Sequence, residues 1–263
     1  MSGFREGRLA ALKAKIAALA AGGRADSESL PFGDPRLDGC FLGEGLPLGQ
    51  WHEFTGAGME IETGASPAAF AALVAAPLAR RGEAVWVLRR DDLFAPGLSG
   101  LGFPAQRLIQ VCARDEAEAL AVTEDALATA GVAAVFAEVE AVDLTAGRRL
   151  QLACEKHGAT GFVIRRRPYG GTARPSASGT AAATRWKIAP AASEPAPGAF
   201  GLGQPRWRVE LERCRGGRPG AWLMEAQAAF TWEAQDGPHP LRLVAELGDR
   251  QLAPAQPLRG AAA

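Results

Sequence analysis

Between residues 4 and 21 the apolar positions Leu9, Leu12, Ile16 and Leu19 recur at steps of three and four, among alanines and the basic Arg5, Arg8, Lys13 and Lys15. That spacing lays one apolar stripe along a helix. It predicts an N-terminal amphipathic helix within residues 1–25, stopped by Gly22 and Gly23 and followed by a polar hinge. The stripe needs cover, so Leu9, Leu12, Ile16 and Leu19 are candidate partner-binding residues, for a second copy of the chain or for another protein.

From Gln50 onward short apolar runs alternate with longer helix-compatible stretches. The runs lie at 51–55, 84–88, 108–111, 132–139 and 161–164, and the stretches between them at 67–81, 115–130 and 145–157. Strand and helix in succession imply βαβ crossovers and a mostly parallel sheet covered on both faces. Residues 168–183 are rich in Gly, Ala, Ser, Thr and Pro, with little to bury. A mobile loop is expected there. Period-two segments follow at 184–188, 206–213 and 221–225, with Trp207, Val209 and Leu211 on one face, and a Pro/Ala/Gly loop at 190–205 separates the first two. These suit antiparallel strands extending the same sheet. The organisation read from the pattern is a helix at 1–25, an α/β domain at 26–250 and a disordered Ala/Pro-rich tail at 251–263.

Composition narrows the functional classes. The chain has 263 residues, 48% of them hydrophobic, which suits one substantial core. Lys+Arg and Asp+Glu both number 29, so no general attraction to nucleic acid or membrane follows, and any such binding has to be local. Cys40, Cys112, Cys154 and Cys214 form no C-x-x-C pair, which argues for reduced thiols and against zinc. No run approaches the roughly 18 apolar residues of a membrane span. A cytoplasmic chain is expected. His52, His157 and His239 are too scattered for a metal site, and no serine lies in a G-x-S-x-G context.

The most informative stretch is LPFGDPRLD at 30–38 followed by GLPLGQWHEFTG at 45–56. A loop of the form G-L-P-x-G leading into a strand that ends in glycine can be an ordinary turn or the approach to a phosphate-binding loop. The segment that follows offers Gly56, Gly58, Thr63, Gly64 and Ser66 as a phosphate loop, yet it holds no lysine and adds Glu60 and Glu62. A working loop needs backbone N–H groups that converge on phosphate, a lysine for the outer phosphates and a hydroxyl for magnesium. No lysine occurs between Lys15 and Lys156. The loop therefore reads as degenerate, ATP hydrolysis and catalytic residues are not expected, and weak ATP binding is left open. Asp91, Asp92 and Glu138 stand at strand ends, where such folds put a base and a magnesium ligand; without the lysine they read as solvated acids.

Positive charge is nearly all arginine, and it clusters at Arg165, Arg166 and Arg167, with Arg174, Arg185 and Lys187 following. Arginines on a flexible loop can follow a phosphate backbone, with Tyr169 or Trp186 to stack on a base. Equally, they can be solubilising charges. Arg165, Arg166, Arg167, Arg174 and Arg185 are the candidate DNA-binding residues.

With these residues in view, the chain resembles the ImuA family of RecA-like accessory proteins. The resemblance rests on the two motifs above and on VWVLRRDDLFAPG at 85–97, ARDEAE at 113–118, DLTAGRRLQLA at 143–153, ATRWKIAP at 183–190 and PRWRVELERCRGGRPG at 205–220, in that order. It implies a RecA-like core of the P-loop ATPase type. It also implies work alongside ImuB, itself similar to an inactive Y-family polymerase, and an error-prone replicative-type DNA polymerase, copying past damaged bases in the SOS response. By the same analogy the segment after Arg167 takes the place of a RecA DNA-binding loop, and the N-terminal helix that of a segment packing on a neighbouring subunit. RecA and single-stranded DNA are further candidate partners. Fold does not carry site chemistry with it, so two alternatives stand beside a non-catalytic accessory factor: an active RecA-like ATPase or recombinase with an unconventional phosphate loop, and a regulator of RecA filaments.

Overall fold

The computed structural model describes residues 28–60, 64–166, 180–195, 198, 200–227, 233 and 239–247. The expectations for residues 1–25, with Leu9, Leu12, Ile16 and Leu19, lie outside the described residues. So do those for Glu62, Thr63, Arg167, Tyr169, Arg174 and the tail at 251–263.

In chain order the elements are β1 (Ser29–Leu30), α1 (Pro35–Asp38), β2 (Leu46–Pro47), β3 (Trp51–Gly56), α2 (Ala65–Ala75), β4 (Glu83–Leu88), α3 (Ala95–Gly100) and β5 (Leu108–Cys112). There follow α4 (Glu116–Leu127), β6 (Val132–Val139), α5 (Leu144–His157), β7 (Thr160–Arg165), β8 (Thr184–Ala191), β9 (Arg206–Cys214), β10 (Gly220–Ala226) and β11 (Leu241–Glu246). Nine strands form one sheet in the order β11-β10-β9-β8-β3-β7-β6-β4-β5. All neighbours from β8 to β5 are parallel, and β8 to β11 pair antiparallel. The molecule is thus an α/β protein with a large, mostly parallel mixed sheet, as the alternating pattern implies, and it is compatible with the RecA-like core expected from the resemblance.

Helix α4 is started by Asp115 and α5 by Asp143, whose side chains accept from Glu118 N and Ala146 N, while Gly158 in the left-handed region ends α5. The stretch 67–81 is not one helix. Pro77 has no N–H to offer the turn before it, so α2 stops at Ala75 and a tighter 3-10 turn runs from Ala76 to Arg80. The strand β11 and the small β1–β2 pair are absent from the sequence reading. β11 is an edge strand in which only Leu241 is fully buried, and β1 and β2 have two residues each, too few to show any alternation.

Each face of the sheet has its own core. On the α2 face an aromatic row crosses five strands: Trp86 stacks on Phe136, Phe136 on Phe162, Phe162 on Phe54 and Phe54 on Trp186. Phe70 of α2 packs over Phe54, Trp186 and Trp207. On the other face α4 and α5 cover Trp51, Val85, Val135 and Val163. Trp186, offered above as a base-stacking residue, is fully buried in this row and cannot reach a ligand. Period two in β8 puts it inward, and the same alternation leaves Arg185 and Lys187 on the opposite face.

His52 is also inside. The Trp186 indole N–H donates to the Thr184 hydroxyl at 2.7 Å, Thr184 lies 2.8 Å from His52 Nδ1, and His52 Nε2 lies 3.0 Å from the Pro47 carbonyl. One tautomer satisfies all three contacts: a neutral ring with its proton on Nε2, accepting from Thr184 at Nδ1. Burial drives its pKa down to about 3. Thr184→Val removes the hydroxyl and leaves both rings short of a partner, so chemical denaturation should show a loss of about 1–3 kcal/mol.

Candidate functional site

In open α/β sheets the ligand crevice lies beyond the carboxyl ends of the parallel strands, where the strand order reverses. Here that point is the end of β3, flanked by β7 and β8. Gly56 ends β3, Gly58 follows with φ +136°, and Gly64 leads into α2, which carries Ser66 in its first turn. The helix N-terminus there has no side-chain cap of its own, the ordinary setting for an anion.

The anion present is the protein's own. A Cβ on Gly64 would lie 2.6 Å from Oε1 of Glu60, so this carboxylate is packed against the residue that opens α2. The Nε of Arg166 donates to the same Glu60 oxygen at 2.9 Å. Its Nη1 donates to Glu138 at 2.8 Å and to Asp92 at 3.0 Å, and its Nη2 reaches the second Asp92 oxygen at 3.1 Å. One guanidinium therefore ties the segment between β3 and α2, the loop after β4 and the end of β6 to the end of β7. Glu138 is only 4% exposed, and its other oxygen accepts from the Trp86 indole at 3.0 Å.

Two expectations are corrected by this geometry. Glu138 is not a solvated strand-end acid: β6 carries it into the core beside Trp86, and Arg166 is its counter-ion. Asp92 is likewise taken up by Arg166, although it stays partly exposed. The electrostatics follow depth. Burial works against the charge on Arg166, but the hydrogen bonds to Asp92 and Glu60 and the charge of Glu138 overcome it and hold its pKa above the ordinary value. Glu138, the deepest of the carboxyls, loses more to burial than Arg166 and Trp86 restore, so its pKa is pushed up. For Asp92 the Arg166 hydrogen bonds dominate and hold it below the usual range.

The neighbouring arginines have the same fate. Glu53, 3% exposed in the middle of β3, accepts from Arg165 of β7 at 3.4 Å and from Arg185 of β8 at 3.3 Å. Arg165 also donates to the Glu140 carbonyl. Arg89, after β4, bridges Glu116 and Glu140 at 3.2 Å each. Arg165, Arg166 and Arg185, offered above to a phosphate backbone, thus face carboxylates inside the rim. Sequence reasoning found these arginines and Glu138 but missed their partners Glu53 and Glu140.

Among the described residues no group of three or more His, Cys, Asp and Glu side chains is placed to hold a metal ion. None of their helices is long and apolar enough to cross a membrane. The site and the sheet together define an α/β protein with an internal ion cluster, Arg166 with Glu60, Asp92 and Glu138, at the carboxyl ends of its parallel strands.

Comparison with known proteins places the chain more narrowly. It is 63% identical over 241 residues to "Protein ImuA" of Caulobacter vibrioides strain NA1000 / CB15N, covering 90% of this chain and 97% of the relative. The same figures hold for "Protein ImuA" of Caulobacter vibrioides strain ATCC 19089 / CIP 103742 / CB 15. No protein-family model matches. The chain belongs to the ImuA family.

Proposed function

We propose that the protein is a non-catalytic, RecA-like accessory factor of damage-induced translesion DNA synthesis in the cytoplasm. It acts with an ImuB-like inactive Y-family polymerase and an error-prone replicative-type DNA polymerase. Family membership supports the pathway. The observation that carries the non-catalytic part is Arg166, which closes the crevice by binding Glu60, Asp92 and Glu138 at once.

In a working nucleotide site a preformed cation faces the transferring phosphate. In this chain Arg166, the cation that lies across the crevice, is already saturated by carboxylates, and Glu60 adds negative charge at the start of α2. The core then serves as a scaffold: the ion pairs fix the loops at the strand ends in one arrangement without a ligand. On this reading Arg165, Arg166 and Arg185 are structural residues.

The test is genetic complementation. Deleting the gene should lower damage-induced mutation frequency, and a chain carrying Glu138→Gln should restore it fully. Glutamine keeps the shape and one acceptor oxygen, for either the Trp86 or the Arg166 N–H, but cannot act as a base. Loss of mutagenesis by a folded Glu138→Gln protein would mean that the acid is needed chemically and would favour an active ATPase. Recovery of a polymerase-like protein with the tagged chain from damaged cells is the accompanying expectation.

A further inference from the structure

Carboxylates neutralise Arg165, Arg166 and Arg185, whereas the end of β9 and the turn after it carry arginines of another kind. At the β9–β10 hairpin, residues 213–220 read Arg-Cys-Arg-Gly-Gly-Arg-Pro-Gly. Arg213 Nη1 donates to the Thr180 carbonyl at 2.9 Å, Arg215 Nη2 donates to the Ala181 carbonyl, and Arg218 Nε lies 3.4 Å from the Gly39 carbonyl. All three partners are neutral backbone oxygens. Among the described residues none of these arginines makes a salt bridge, and Arg213 and Arg218 are exposed.

The hairpin is held rigidly. Gly216 takes φ +72°, and a Cβ on Gly217 would meet the Cys40 carbonyl at 2.1 Å. Arg218 N donates to that same carbonyl at 3.0 Å, and Arg215 N to Ala183 O at 2.8 Å. Each guanidinium has five N–H donors and uses one of them here on a carbonyl; Arg213 and Arg218 present the remainder to solvent, and Arg215 is partly buried beside Arg213. Like charges are also held together. Burial first, and then the charge of Arg213, keep the pKa of Arg215 below its ordinary value, with Glu155 opposing weakly. An anion seated between them relieves that repulsion.

We propose that the hairpin arginines Arg213, Arg215 and Arg218 form a binding surface for the phosphate backbone of a nucleic acid. Guanidinium forks match phosphate oxygens bidentately. A protein partner would need an apolar centre to its interface, and the turn itself offers glycine, proline and arginine, with Leu42 packed against Gly216. No described aromatic ring stands exposed on the hairpin, so contact is with phosphates and is sequence-tolerant. The inference rests on local charge and stands apart from the proposed function.

Fluorescence anisotropy of the full chain with a labelled oligothymidylate, titrated with salt, tests it. The triple variant R213Q/R215Q/R218Q keeps one N–H donor for each carbonyl and removes the charge. It is expected to bind at least roughly tenfold more weakly at low salt, with the slope of log K against log salt reduced by about 2, three contacts at ~0.7 each. The triple lysine variant should retain most of the affinity, and Arg208→Gln, on the charged face of the same strand, should change neither quantity. If the triple glutamine variant does not fold, Arg218→Gln alone reads one contact, a slope reduced by ~0.7. Wild-type protein that binds no oligothymidylate at low salt overturns the proposal, as does a folded glutamine variant with unchanged affinity and slope. Arginine-dependent binding to anionic phospholipid vesicles with arginine-independent DNA binding overturns it too, by moving the surface to a membrane.

Discussion

Arg166→Met should cost about 3–5 kcal/mol of folding stability, the usual loss when one member of a buried ion pair is removed and the other stays. Methionine fills most of the volume, so the effect is electrostatic. Glu138 is left in the core with only the Trp86 N–H, close to Asp92 and Glu60, and its carboxyl has to take up a proton or draw in water. For a domain of this size that corresponds to a fall in Tm of roughly 10 °C. The double variant R166M/E138Q removes the stranded charge and should regain most of the loss, because replacing both members of a buried pair is often close to neutral. Urea denaturation of the two variants measures both quantities. A loss below about 1 kcal/mol for Arg166→Met would show that solvent, not the cluster, satisfies Glu138.

Acid should unfold the protein through its buried histidines. His52 is fully buried and His239 nearly so, and burial lowers the pKa of each from 6.5 to about 3 in the folded chain. The unfolded chain takes up these two protons near pH 6.5 and the folded chain does not. The stabilising contribution is therefore complete above pH 6.5 and declines as pH falls toward 3, by about 1.4 kcal/mol per pH unit for each histidine. Glu138 and Asp38 act in the opposite sense, since burial raises both, and they offset part of the loss where they gain protons ahead of the unfolded chain. Denaturation midpoints at several pH values between 7.5 and 4.5 should thus decline steadily, and replacing His52 with a non-titrating residue should flatten the curve by one histidine's share. An unchanged slope in that variant would place a charged, hydrated imidazole in the folded state instead.

What the sequence displays well is periodic. Of the five parallel strands of 51–165, β3, β4, β6 and β7 are legible because burial makes continuous apolar runs, β5 is an apolar run on the exposed sheet edge, and the antiparallel strands are legible because one solvated face forces alternation. Trp207, Val209 and Leu211 point inward as their spacing requires. The motif at 30–38 is a folded clasp: Asp34 caps α1, Asp38 reaches back to accept from Phe32 N and Gly33 N, and Phe32 packs on Trp186 of β8 and on His239.

The candidate site was legible as a missing lysine and as single charged residues, Glu60, Asp92, Glu138 and Arg166 among them, but not as the cluster they form. The partners of Arg166 lie 106, 74 and 28 residues away in the chain, and only the strand order brings them together. No local pattern distinguishes an arginine that will meet three carboxylates from one that will face water. Glu53 gave less still, because a glutamate inside an apolar strand reads as an outward residue until two cross-strand arginines are seen beside it.

The central claim is that the crevice is filled by the protein's own ions, and a nucleotide titration tests it most directly. Isothermal calorimetry with ATP and magnesium, paired with thermal unfolding in the same buffer, reads both binding and its linkage to stability. The account predicts no saturable heat and an unchanged Tm at millimolar nucleotide. A ligand present at a hundredfold excess over its Kd would add about 2.7 kcal/mol, so a rise in Tm of several degrees with a saturable isotherm would contradict the account.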